Sequence, residues 1–411
     1  MKYSIISIVV ASSVVILLTI AESHGKNLNP IKSYNAPTDI SRSLRNEAQA
    51  AIDRGKKWLE THQQSDGHWS NPEFPALTAL PVWAISMGAK GQRGESVNLG
   101  VKYILSCVRK DGAIYCKPLE KRKGGGLSNY NTAICMVALH STGRSDLVPV
   151  VQKAREFIAG TQHFGADIYT GGMGYDASTD RAYTDLSNSY LVFEAMRMTE
   201  SVEDLRKKGE KTADLDWQAA REFVQRVHND PDFNKRPWAN PNPDEKGGFA
   251  YHPDQTRAGT ETDADGIVRF RSMPGMTYAG LLSYIYADVD RADPRVQATI
   301  NWAIKHWSLD TASRDPAKQN TDAAKEGLYY LLNVMAKGLA VYGQDVFTPD
   351  SAKRFNWRIE LIEKLLSLQK IDEDGTGFWV NDVSRYWEAD KTLTTSYALI
   401  ALQIALGNNS K

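Results

Sequence analysis

An all-α chain, folded as a closed α/α toroid or (α/α)6 barrel of six helix pairs, is the fold class this sequence predicts. Three observations lead there. A unit of amphipathic helix, polar turn with glycine and aromatic, and apolar helix recurs six times within residues 45–407. The second helix of each unit is apolar nearly all round and needs cover on every side. The last unit ends on "SYALIALQIAL" (396–406), too apolar for the polar terminal repeat an open solenoid requires. Joining the last pair to the first removes both ends.

Residues 1–25, "MKYSIISIVVASSVVILLTIAESHG", stand apart from the fold. The apolar stretch 5–21 follows a single lysine, and Ala21 and Ser23 suit positions −3 and −1 of a signal-peptidase site. The segment reads as a secretory signal or, if uncleaved, a membrane anchor. Both readings export the chain to the periplasm, the cell surface or the medium, and membrane contact would run through this segment. A linker at 26–44 follows.

The first helix pair is "AIDRGKKWLETHQQSDGHW" (51–69) with "FPALTALPVWAISM" (74–87). Ile52, Gly55, Leu59 and His62 share one face of the first helix, while Lys56, Lys57 and Glu60 face water. The second pair is "GVKYILSCVRKDGAIY" with "YNTAICMVALHSTG", and the third is "AREFIAGTQHFGADIYTGGMGYD" with "DLSNSYLVFEAMRM". "AAREFVQRVHNDPDFN" and "MTYAGLLSYIYADV" form the fourth, separated by a long polar insertion, 246–275. A fifth, degenerate pair joins "TINWAIKHWSLD" to "GLYYLLNVMAKGLAVYG". The sixth is "IELIEKLLSLQKIDEDGTGFWVND" with "LTTSYALIALQIALG".

The turns explain the recurring glycine and aromatic. Gly67 and Gly375 permit a sharp reversal, Trp69 and Trp379 fold back against neighbouring helices, and each indole N–H needs an acceptor. Gln63 and Gln369 are placed to hydrogen-bond exposed helix-end carbonyls or the ring. These six residues read as a structural clamp.

Composition excludes some function classes. Lys+Arg and Asp+Glu both total 49, so no basic surplus points to nucleic acid. Outside the cytosol, Cys107 and Cys116 could close a short disulfide loop. Cys135 lies in an apolar helix, and His140, five residues on, is out of line with it, so no metal site is assembled and no cofactor is expected. "ETDADG" (261–266) half-matches a calcium loop through Glu261, Asp263, Asp265 and Gly266, but Ser272 stands where the twelfth-position glutamate belongs.

The Gln…Asp-Gly-x-Trp pattern, carried by "DGHW" and "GTGFW" and supported by "GGMGYD" and "DLSNS", resembles the QW repeat of squalene-cyclase-like proteins. These belong with the prenyltransferase and squalene-oxidase repeat proteins of the terpenoid-cyclase α/α toroid. The resemblance covers about 45–407 and implies a central cavity for binding, or binding and transforming, an isoprenoid or other apolar ligand. Catalysis is left open, because the Asp-x-Asp-Asp acid motif is absent. "DLDW" (214–217) opens an outer helix, and "DADG" (263–266) lies in a loop. The chain has residues for one toroid where triterpene cyclases have two.

In such a ring the inner-helix N-termini surround the cavity mouth. Candidates there are Asn131, Thr132, Asp185, Asn188, Tyr278, Tyr329, Tyr330, Trp387, Thr394 and Tyr397. Asp185 is the one named for acid chemistry; the alternative for the hydroxyls and amides is helix capping, and for the aromatics core packing. Arg257, Arg269 and Arg271 make the insertion locally basic and leave an anionic ligand open. Two other functions stay in view: a non-catalytic cell-surface scaffold for a protein or polysaccharide, or a carbohydrate-active (α/α)6 enzyme using paired carboxylates such as Asp185 and Glu388.

Overall fold

The computed structural model describes residues 39–88, 94–116, 126–177, 183–349 and 354–407. The signal or anchor segment 1–25 and most of the 26–44 linker lie outside them. Among the described residues, twelve α-helices alternate between two layers. The outer layer is α1 (Arg42–Thr61), α3 (Glu95–Ser106), α5 (Val148–Ala159), α7 (Trp217–Val227), α9 (Pro294–Lys305) and α11 (Trp357–Leu368). The inner layer is α2 (Ala76–Ser86), α4 (Ser128–Ser141), α6 (Leu186–Met198), α8 (Pro274–Tyr286), α10 (Leu328–Tyr342) and α12 (Lys391–Leu406). Helix α1 begins at Arg42 on a Ser41 cap, so the folded chain starts slightly before residue 45.

The inner helices pack in the order α2, α4, α6, α8, α10, α12, and α12 packs back on α2. Helix α1 closes the outer layer against α11 and α12. The chain is therefore a closed α/α toroid. The apolar second helices are buried on nearly all sides: every residue of α2 is buried, whereas α1 buries only Ala48, Ala51, Ile52, Gly55, Trp58 and Leu59.

The clamp works as a joint between consecutive units. Trp69 Nε1 donates to Leu59 O (2.7 Å) at the end of its own outer helix, and Trp379 Nε1 does the same to Leu365 O (2.8 Å). The glutamines reach onward instead. Gln63 Nε2 donates to Ser96 O of α3, Gln162 bonds the Asp216 backbone at the start of α7, and Gln369 Nε2 donates to Ala51 O of α1, each at 2.8–3.0 Å. The last bond joins the sixth unit to the first. Gly67 (φ +96°) lies so close to α3 that a Cβ would sit 2.3 Å from Leu99 O. Gly112 and Gly171 approach α5 and α7 in the same way. In the sixth unit the close approach falls on Gly377, not Gly375, which has open space around it.

Side chains from non-adjacent inner helices meet along the ring axis in two layers. Lys337 of α10 pairs with Glu194 of α6 (2.9 Å) and lies 4.4 Å from the Trp83 ring of α2; lysine and glutamate are both fully enclosed. One layer nearer the inner-helix N-termini, Tyr190 of α6 packs edge-on against Tyr330 of α10, and the Tyr130 and Tyr397 hydroxyls bond across from α4 to α12. The axis is thus filled in its lower half and floored by tyrosines.

Candidate functional site

A cavity of about 680 Å³ opens above that floor, at the N-terminal ends of the inner helices. Ala76, Leu77, Tyr130, Leu191, Tyr330, Leu393 and Tyr397 give it an apolar and aromatic base. Three long connections wall it: Tyr251 and Arg257 from the α7–α8 insertion, Arg314, Lys318 and Glu326 from the α9–α10 loop, and Arg385 to Glu388 from the α11–α12 loop. Of the aromatic candidates, Tyr330, Trp387 and Tyr397 line it. Sequence reasoning missed the part played by Tyr251. The "GGFAYHPD" motif around it was visible, but nothing local says that this tyrosine turns inward.

Asn131, Thr132, Asn188, Tyr278, Tyr329 and Thr394 do not line the cavity. Thr132 Oγ1 accepts the Ile114 N–H (2.8 Å), as Thr78 does for Trp69 and Thr395 for Trp379, so a hydroxyl on the inner helix holds the clamp strand of its own unit. Asn131 Oδ1 caps the neighbouring helix α2 through the Ala76 N–H (3.1 Å). Thr394 Oγ1 donates to Trp379 O (2.6 Å), and Tyr329 OH to Val380 O (3.4 Å). Tyr278 is buried beside Gly338 of α10, its hydroxyl without a hydrogen-bond partner. Thr132, Asn131, Thr394 and Tyr329 thus satisfy backbone that the turns leave open.

Asp185 lies behind the wall. It is fully buried and caps α6, Oδ1 accepting Asn188 N (2.8 Å) and Oδ2 accepting Asn188 Nδ2 (2.7 Å). The hydroxyl of Tyr251, a residue that lines the cavity, also hydrogen-bonds its carboxylate. Burial pushes the Asp185 carboxyl up to about 6, against the Asn188 and Tyr251 hydrogen bonds, which favour the charged form.

Glu388 lines the cavity, yet both its oxygens are engaged. Oε1 accepts Tyr330 N (2.7 Å) and Oε2 accepts Asn381 Nδ2 (2.7 Å). Gly327, at the N-cap of α10, has no side chain to do this, so a carboxylate from another loop serves. Burial raises the Glu388 pKa and these hydrogen bonds offset it. The preceding residues, Tyr386 (φ +59°) and Trp387 (φ +67°), hold left-handed backbone at the rim and are half exposed, Trp387 edge-on to Phe74.

Among the described residues no His, Cys, Asp and Glu group is arranged to hold a metal ion. Cys107 and Cys116 are free thiols 3.1 Å apart, away from the cavity. The Cys107 hydrogen bond holds the Cys116 thiol below its usual range.

No family model matches the chain, and no curated protein matches it in sequence. Three similar solved structures are a type II terpene cyclase from Scytonema in complex with merosterolic acid A, a GH76 alpha-mannanase from Bacteroides thetaiotaomicron, and protein geranylgeranyltransferase-I from Candida albicans complexed with GGPP. The first is 14% identical, covering 90% of this chain and 100% of that chain, TM-score 0.48. The second is 13% identical, covering 87% and 95%, TM-score 0.48. The third is 11% identical, covering 85% and 98%, TM-score 0.37.

Proposed function

We propose that this toroid binds an apolar small molecule, an isoprenoid or a comparable hydrocarbon, in the cavity at the inner-helix N-termini, and that residues 1–25 export it. The observation that carries the binding reading is the cavity itself: about 680 Å³, based on tyrosine and leucine side chains and closed below by packed layers. That volume falls within the roughly 300–1,000 Å³ of small-molecule sites. Ring faces and aliphatic side chains reward an apolar body by the area they take from water.

The carbohydrate reading would require two carboxylates free to act on a glycosidic bond. Asp185 stands behind Tyr251 and Glu388 spends both oxygens on capping and Asn381, so these two do not form such a pair.

Native mass spectrometry of the purified chain, incubated with a total lipid extract, tests the binding reading. The expected result is an adduct of apolar character, lost in Leu191→Trp, which fills the base of the cavity without touching the clamp. A wild-type chain that takes up nothing from the extract would sink the reading.

A further inference from the structure

We infer that the ligand is an anionic amphiphile, and that Arg257 at the mouth binds its charged head; this rests on the apolar-cavity reading above. Four cations border the cavity: Arg257, Arg314, Lys318 and Arg385. Three of them have carboxylate partners. Lys318 bonds Glu326 at 2.7 Å, Arg385 lies 3.6 Å from the same carboxylate, and Arg314 lies 3.3 Å from the enclosed Glu245. The insertion's other arginines are also consumed, Arg269 by Asp263 (2.7 Å) and Arg271 by Glu245 and Glu261 (3.2 and 2.9 Å). Arg257 alone of these has no carboxylate at ion-pair distance among the described residues; its charge acts only at longer range on the buried Asp185 behind the wall.

Arg257 is held in place by neutral groups. Its guanidinium lies 4.2 Å over the Tyr251 ring and hydrogen-bonds the Tyr386 hydroxyl. Stacking orients the planar donor fork without using its charge, leaving it for a carboxylate or phosphate oxygen. Tyr251 and Tyr386 both line the same cavity, so one wall runs from the cation at the water boundary down to the tyrosine base. An uncharged hydrocarbon leaves Arg257 unused. A molecule with an anionic head and an apolar body uses both ends of the site.

The test compares three probes of similar chain length on the full chain: dansylaminoundecanoic acid, its methyl ester and dodecyl phosphate, with binding of the last read by displacement. The acid should bind wild type roughly tenfold or more tighter than the ester, the scale of one charge-assisted hydrogen-bond pair. Arg257→Gln should erase that difference by bringing acid binding down to that of the ester in the same variant, and Arg257→Lys should keep most of it. The relative affinity of acid and phosphate assigns the head as carboxylate or phosphate. Equal binding of acid and ester to wild type, or an acid preference that survives Arg257→Gln, overturns the inference while the cavity reading stands. Failure of all three probes to bind overturns both.

Discussion

Asp185 shows how much one side chain can carry that a sequence does not display. In sequence it is a polar residue before an apolar helix, equally an N-cap or an acid at a cavity mouth. In the structure it is the cap, one layer behind the wall, reaching the cavity only through Tyr251. Its folded pKa, about 6, lies above the ordinary 3.8, so the native chain holds this proton more tightly than the unfolded chain. Stability from this group is then greatest in acid, falls as pH rises from about 4 to about 6, and stays low above that. The shift of about two units corresponds to on the order of 3 kcal/mol. Urea unfolding of wild type and Asp185→Asn across that range should show the difference in midpoint changing with pH in this sense. Parallel curves would mean that the carboxyl is not held in this environment.

At the scale of elements, helix pairs were legible because their signals are local. The 3.6-residue pattern separates half-buried α1 from enclosed α2, and glycine marks the clamps, followed by tryptophan in the first and sixth units. What could not be read is where a clamp group finds its partner. The sequence suggested that glutamines serve helix-end carbonyls or the ring, but indoles take the helix-end carbonyls and glutamines cross to the next outer helix. Thr132 likewise looked like a cavity group because the Ile114 amide it serves lies eighteen residues earlier. The walls of the cavity were equally hidden: long insertions have no periodicity to fix which side chain turns inward, so Tyr251 went unnoticed. The clamp makes a sharp prediction. Gly67→Ala puts a Cβ 2.3 Å from Leu99 O on left-handed backbone and should cost more than about 2 kcal/mol in chemical unfolding. Gly375→Ala has the backbone cost without the collision and should cost about 1 kcal/mol. Equal losses would show that the close approach between units is not what the glycine serves.

The whole molecule is a ring whose axis is used twice, packed below and open above. The lower half is closed by an ion pair that links non-adjacent inner helices, Lys337 of α10 and Glu194 of α6, with Trp83 of α2 against the ammonium. A buried pair gives back little of what its desolvation costs, but removing one partner strands the other. Lys337→Met should therefore destabilise the chain by about 3–5 kcal/mol, leaving Glu194 without its partner among apolar helices. Lys337→Met with Glu194→Leu should recover most of that loss, since both charges are replaced by apolar groups. The layer of Tyr130, Tyr190, Tyr330 and Tyr397 stands between this pair and the cavity, so ligand uptake by the folded double variant should match wild type. Urea midpoints and lipid uptake measured on the same preparations check both halves. A double variant that stays stable but no longer takes up ligand would show that the cavity depends on the packed half below it, and the division of the ring into a sealed base and an independent binding end would fall.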